Sequence, residues 1–260
     1  MQPAALVTGA SSGIGAAIAR ELHRRGRHVV LVARRAELLE QLAGELGSRV
    51  SVLPTDLSRR TDRATLPQRV SEAGLDVHTL VNNAGLTTVG RQHRADPDAE
   101  LNVIEVDVAA VVDLCTRFLP GMVDRGRGAV LNVASVGAFG PLPGQAVYCA
   151  AKAFVLSYTH ALRVELDGTG VTASALCPGP VQTGFGEAGG FSMTDAEKLL
   201  PKPMWVSAEE VAAQGVDGLE DDRAVIIPGR LNRAAAALYH LAPKRLMLPL
   251  IARGHPGMAD

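Results

Sequence analysis

The sequence has few cysteines, no excess of either charge and no long apolar run. Its three cysteines, Cys115, Cys149 and Cys177, are odd in number and scattered. That excludes a disulfide framework and a cysteine-ligated metal cluster, and it points to a reduced, cytoplasmic setting. Lys and Arg total 26 against 27 Asp and Glu, a net charge of −1 with no block of like charges. Proteins that bind nucleic acid by neutralising phosphates carry a basic excess, so no nucleic-acid partner is expected. No apolar stretch approaches the ~18–20 residues needed to span a bilayer. The N-terminal run up to Val7 lacks the basic region of a secretion signal and meets Thr8-Gly9 at once, so it reads as a first strand. The seven histidines show no ligand spacing, and no metal site is expected. What is present is 260 residues, 47% of them hydrophobic, enough to bury a large core in one α/β domain.

Short apolar runs alternate with longer segments of helical period. Strands are expected at 4–7, 28–33, 50–53, 77–81, 129–133, 171–176 and 224–227, with helical stretches at 14–25, 36–46 and around 62–73. Nearly continuous apolar strands separated by helices imply a parallel sheet covered on both faces. Two segments stand apart. Residues 183–206 are Gly-rich and irregular, as in a lid over a substrate, and the tail 231–260 continues past the last strand.

Thr8-Gly9-Ala10-Ser11-Ser12-Gly13-Ile14-Gly15 joins the first strand to the first helix. Glycines let backbone approach a pyrophosphate, and the helix N-terminus supplies free N–H groups and a positive dipole end. Gly9, Ser11, Ser12, Gly13, Ile14 and Gly15 are therefore candidates for dinucleotide binding. An acid closing the second strand would bond the ribose 2′-hydroxyl of NAD. Ala33-Arg34-Arg35 stands there instead, and an arginine suits the 2′-phosphate of NADP(H).

Tyr148-Cys149-Ala150-Ala151-Lys152 puts a phenol and an ammonium four residues apart, on one face of a helix. A free phenol ionises near pH ~10. A lysine charge beside it is expected to lower that value and make Tyr148 a usable acid or base. Ser135 closes the fifth strand, at the end where such sheets bind ligands, and its hydroxyl can bond a substrate oxygen as charge develops there. Cys149 points off the shared face and reads as packing.

With these motifs in order, the chain resembles the short-chain dehydrogenase/reductase family over residues 4 to 229. Thr8 to Gly15, Asp56-Leu57, Asn82-Asn83-Ala84-Gly85, Ser135, Tyr148 to Lys152, and Pro178-Gly179 with Val181 and Thr183 carry the resemblance. It implies a Rossmann-type doubly wound fold with seven parallel strands and helices on both faces, in one domain over 1–260. It also implies roles. Asp56 and Leu57 would lie at the adenine, and Asn83, Ala84 and Gly85 along the ribose and sheet. Lys152 would bond the nicotinamide ribose, and Pro178, Gly179, Val181 and Thr183 would hold the nicotinamide end. Asn82 is expected to brace its strand, and Asp56 has a simple capping reading too. Many relatives form homo-oligomers through their fourth and fifth helices.

One position departs from the pattern. Counting back from Leu119-Pro120, Asp107 stands where the family carries an asparagine thought to hold a proton-relaying water. Aspartate can accept a hydrogen bond but brings a charge and lacks the amide donor, so the expectation is working chemistry that is slowed or shifted in pH.

The lid segment holds Phe185, Phe191, Met193, Leu199, Leu200, Met204 and Trp205, which suits a hydrophobic carbonyl or alcohol. The tail mixes leucines with Arg233, Lys244, Arg245 and Arg253. It reads as a membrane-surface element, a dimer contact or a substrate cover, and its layout is similar to hydroxysteroid and long-chain 3-oxoacyl reductases. The expected function is NADP(H)-dependent hydride transfer at a hydrophobic carbonyl or alcohol, with Tyr148 as acid/base. The alternatives are an NAD-dependent alcohol dehydrogenase of the same family and a non-catalytic NADP(H) sensor.

Overall fold

The computed structural model describes residues 1–184, 202–241 and 243–258. Seven strands form one parallel sheet: β1 (Gln2–Thr8), β2 (His28–Val32), β3 (Val50–Val52), β4 (Leu75–Asn82), β5 (Gly128–Val133), β6 (Val171–Leu176) and β7 (Val225–Ile226). Their order is β3-β2-β1-β4-β5-β6-β7. The chain winds outward from β1 to β3, returns to β4 beside β1, and then winds the other way. The crevice at the carboxyl ends of β1 and β4 is therefore the switch point where such sheets bind ligands.

Nine α-helices are described: α1 (Gly13–Arg24), α2 (Ala36–Leu46), α3 (Arg60–Glu72), α4 (Pro97–Ile104), α5 (Ala110–Asp124), α6 (Ala146–Glu165), α7 (Ala208–Glu220), α8 (Arg230–Leu241) and α9 (Lys244–Gly254). The strand alternation explains the two layers they form. On β1, Ala4 and Leu6 pack with α3, α5 and α6, while Ala5 and Val7 face α1, α2 and α7. On β2, Val30 and Val32 join the first cluster and Val29 and Leu31 the second. Both faces are covered, so both sets of side chains on these two strands are apolar and β2 reads as a nearly unbroken hydrophobic run.

Two features have no counterpart in the sequence pattern. Between α4 and α5 the helix widens into a π-turn, Glu105–Ala109, a deviation often found at functional sites. It carries Asp107 into the interior. Arg63, on α3, is buried, with Nη1 donating to the Leu57 carbonyl at 2.5 Å and to Glu105 at 3.2 Å, and Nε donating to Asp113 at 3.0 Å. It pins the loop after β3 to α5 and to the π-turn.

Candidate active site

The glycine turn after β1 is held from the β4 side. Thr8 Oγ1 donates to the Val81 carbonyl at 3.2 Å and accepts from the Asn83 and Ala84 N–H groups at 2.9 and 3.0 Å. Asn83 Nδ2 donates back to the Thr8 carbonyl at 2.9 Å. Backbone approach here is too close for side chains. A Cβ on Gly9, whose φ is +66°, would lie 2.7 Å from Asn83 Nδ2, and one on Gly15 would lie 2.3 Å from the Gly9 carbonyl. Ser12 precedes α1 without a side-chain cap, so the first-turn N–H groups remain for an anion. Gly13 faces the Thr183 side chain, which brings the segment after β6 to the start of α1. This cradle fits a dinucleotide pyrophosphate.

Both arginines after β2 are exposed. Arg35 lies across the turn, with Nη2 donating to Ser11 Oγ at 3.0 Å and Ser12 Oγ at 3.2 Å. Arg34 stands near Asp56. Burial pushes the Asp56 carboxyl up, but bonds from the Ser58 hydroxyl and N–H, then the Arg34 and Arg59 charges, hold it below the usual range. Asp56 Oδ1 is engaged by the Ser58 hydroxyl and N–H at 2.8 and 3.0 Å, which closes the turn before α3; the helix itself starts after Arg59 without a side-chain cap, so Asp56 is not its cap. Asn82 is buried and donates to Asn132 Oδ1 at 2.8 Å, and Asn132 donates to Thr159 at 3.0 Å. It braces β4 against β5 and α6.

Ser135, Tyr148 and Lys152 come together at the carboxyl end of β5. Ser135 caps the 3-10 turn Val136–Phe139, its Oγ accepting from Gly137 N at 3.1 Å, and its hydroxyl hydrogen-bonds Tyr148. The Lys152 Nζ lies 5.7 Å from the Tyr148 ring centroid. It donates to the Val133 carbonyl at 3.1 Å and pairs with Asp107 Oδ2 at 2.9 Å. The other Asp107 oxygen accepts from Leu86 N at 2.7 Å. Gly85 leaves room for this pair, since a Cβ there would sit 3.1 Å from Asp107 Oδ2 and 3.2 Å from Lys152 Nζ.

The electrostatics correct one expectation. Burial pushes the Tyr148 phenol up, outweighing the Lys152 ammonium and the Ser135 bond, while Asp107 pushes it up further, so its proton is held more tightly than in a free phenol. Burial pulls the Lys152 ammonium down, but Asp107 and Tyr148 more than restore it. Burial raises the Asp107 carboxyl despite the lysine beside it. Cys149 is packed against Gly137 and pushed up to about 11 by burial.

After β6, Val136 N donates to the Pro178 carbonyl at 2.9 Å, and Val181 bridges to Val206. Gly179 is pressed against Asn232 of α8, which is buried and donates to the Met204 and Pro228 carbonyls at 3.0 Å. The expected lid falls largely in 185–201, so Phe185, Phe191, Met193, Leu199 and Leu200 lie outside the described residues. The tail, read from the sequence as a membrane-surface element, a dimer contact or a substrate cover, is held by contacts within the chain. The Tyr239 hydroxyl donates to the Pro141 carbonyl, Arg91 donates to the Met258 carbonyl at 2.9 Å, and His255 meets Gln145 at 3.4 Å. Gln145 also donates to Thr87 at 2.9 Å. The tail thus packs on the loops after β4 and β5 that flank Ser135 and Tyr148. Sequence reasoning missed Thr87, Gln145, Asn232 and His255, each of which has a partner 28 or more residues away.

The profile of the short chain dehydrogenase family matches residues 3–189. Nodulation protein G of Rhizobium meliloti is 39% identical over 232 residues, 87% of this chain and 92% of that protein. Sulfoacetaldehyde reductase 2 of Chromohalobacter salexigens is 38% identical over 71% of this chain and 75% of its own. A short-chain dehydrogenase from Sphingobium yanoikuyae, solved with NADPH, superposes with a TM-score of 0.80 at 31% identity, covering 94% of this chain and 97% of its own. One from Burkholderia phymatum, solved with NAD, gives 0.81 at 27% identity over 91% and 92%. On the sheet order, the glycine cradle and these matches, the chain belongs to the short chain dehydrogenase family.

Proposed function

We propose that the protein is an NADP(H)-dependent oxidoreductase acting between the carbonyl and alcohol forms of a hydrophobic substrate. The observation that carries this reading is the cluster of Ser135, Tyr148 and Lys152 at the carboxyl end of β5, beside the switch point. A bound nicotinamide supplies the hydride. In reduction the Ser135 hydroxyl bonds the substrate oxygen, and Tyr148 gives that oxygen its phenolic proton as the carbonyl carbon is reduced. Lys152 stabilises the phenolate left behind and bonds the nicotinamide ribose. Gly9, Ser11, Ser12, Gly13, Ile14 and Gly15 hold the pyrophosphate, with Asp56 and Leu57 at the adenine. Asn83, Ala84 and Gly85 line the ribose side, and Pro178, Gly179, Val181 and Thr183 the nicotinamide end.

Arg34 and Arg35, at the end of β2, make the 2′-phosphate the better match, and the NADPH held by the Sphingobium relative supports it. The printed activity of sulfoacetaldehyde reductase 2 supports carbonyl reduction. No described helix is long and apolar enough to cross a membrane, and the three buried thiols suit a reducing cytoplasm. A second reading, NAD dependence, is favoured by the NAD and NADH in two structural neighbours.

The test is a screen of carbonyl substrates, from small aldehydes to steroids and acyl thioesters, followed by loss of reduced-coenzyme absorbance. The reading expects oxidation of NADPH by at least one apolar carbonyl. Tight NADPH binding with no oxidation across the panel would make the protein a sensor instead.

A further inference from the structure

The buried Asp107–Lys152 pair has a consequence for the direction in which the proposed site is poised. Lys152 and Asp107 are 4% and 0% exposed, and their charged atoms are 2.9 Å apart. Both carboxylate oxygens are directed, one at the ammonium and one at the Leu86 N–H. The π-turn supplies this geometry by swinging Asp107 inward between α4 and α5. A lysine with a neutral amide at this place would present its whole positive charge to the phenol. With a carboxylate in contact, Tyr148 faces a pair of nearly zero net charge, and an ion pair acts on a third group far more weakly than a lone charge.

We propose that Asp107 is a positioning residue that pins and neutralises Lys152, keeping the Tyr148 hydroxyl protonated so that the coenzyme-loaded site remains an acid well into the alkaline range. The inference rests on Tyr148 being the proton donor. Its balance is simple: the phenolic proton goes to the substrate oxygen while the hydride reaches the carbon, and solvent restores the proton after the product leaves. The other groups around the phenol do not supply a competing charge. Ser135 faces it from the end of β5, Lys152 and Cys149 from α6, and Asp107 from the π-turn. Cys177, beside Lys152 after β6, and Cys149 are raised by burial to about 12 and about 11. Tyr239 of α8, which approaches Cys149, is itself raised by burial. Cys149 and Tyr239 are neutral through mildly alkaline pH, and where Cys149 ionises, at about 11, its charge raises the Tyr148 phenol further in wild type and variants alike.

The test compares wild type with Asp107→Asn and Asp107→Ser, which remove the charge and retain an acceptor for the Leu86 N–H. The first readout needs neither substrate nor coenzyme: phenolate absorbance against pH, with Tyr148→Phe subtracted so that only the Tyr148 contribution remains. Removing the carboxylate is expected to move that midpoint down by about one pH unit or more, tenfold in proton affinity. The second readout is the alkaline limb of kcat/KM for carbonyl reduction, which moves down in step. Two variants guard against one failing to fold, and their thermal melts identify the folded forms. A folded variant whose phenolate midpoint and alkaline limb stay at the wild-type values overturns the proposal, even if its turnover drops. Full turnover in Tyr148→Phe would instead sink the underlying reading of the site.

Discussion

Arg34 and Arg35 are neighbours in sequence, but their side chains are differently employed. Arg35 is tied to Ser11 and Ser12 across the glycine turn, whereas Arg34 stands exposed with Asp56 nearby. If Arg34 meets the 2′-phosphate, Arg34→Ala lowers kcat/KM with NADPH by about tenfold or more, the worth of one charge-assisted contact, and leaves NADH unchanged. Steady-state kinetics with both coenzymes checks this, and equal losses would show that the arginine reads only charge common to both. At this scale the sequence was legible where chemistry demands a residue type at a fixed offset, as for Tyr148, Lys152 and the glycines of the turn. Burial was not legible. The lysine four residues away suggested an easily ionised phenol, and the structure reverses the balance by partly burying Tyr148. Arg63 and the Asn82–Asn132–Thr159 ladder were hidden for a similar reason: their partners come from other elements.

Between elements, α1 and α7 cover one sheet face and are clamped at their ends by Arg25. Its guanidinium meets Glu21 of α1 at 2.7 Å and Asp217 and Glu220 of α7 at 2.5 Å each. Hydrogen bonding from Arg24, opposed by partial burial and joined by Arg25, holds the Glu21 carboxyl down at about 2. A carboxyl lowered by folding stabilises the protein above its unfolded value of about 4.3 and loses that stabilisation as pH falls toward the folded value. Glu21→Gln should therefore cost about 1–2 kcal/mol near neutral pH, allowing for solvent screening. Denaturant unfolding should show the difference shrinking between pH ~4.3 and ~2; a constant difference would assign it to packing. The strands were legible as elements because each contains a short apolar run between helical stretches. The π-turn was not, because Glu105-Val106-Asp107-Val108-Ala109 contains neither Pro nor Gly to mark a break. Only counting back from Leu119-Pro120 singled out Asp107.

Across the whole molecule, the doubly wound sheet has its switch point at the carboxyl ends of β1 and β4, where the proposed reading seats the coenzyme, and the tail packs against the loops after β4 and β5, where that reading seats the substrate. On another side, α4 and α6 lie next to each other and expose Leu101 (59%), Ile104 (43%) and Phe154 (43%), the last stacked on Tyr158 at 6.0 Å. Clustered exposed hydrophobics mark interaction surfaces, and we infer that copies of the chain associate through this face. Light scattering after size exclusion should then give a multiple of 27.2 kDa, reduced by Phe154→Asp without loss of fold. A monomeric wild type, or an undisturbed oligomer in the variant, would contradict it. The resemblance pointed to these helices, but the residues that form the face could not be read from the sequence, because its leucine, isoleucine and phenylalanine look like core residues until the helices are packed.

The most direct measurement is turnover by Tyr148→Phe with NADPH affinity followed in parallel. Removing one hydroxyl leaves the ring in place, so the coenzyme should still bind with wild-type affinity. Reduction of the best substrate found should fall by roughly 10²–10⁴-fold, the range for a lost general acid. Reduction at the wild-type rate, with the fold and NADPH binding intact, would contradict the account.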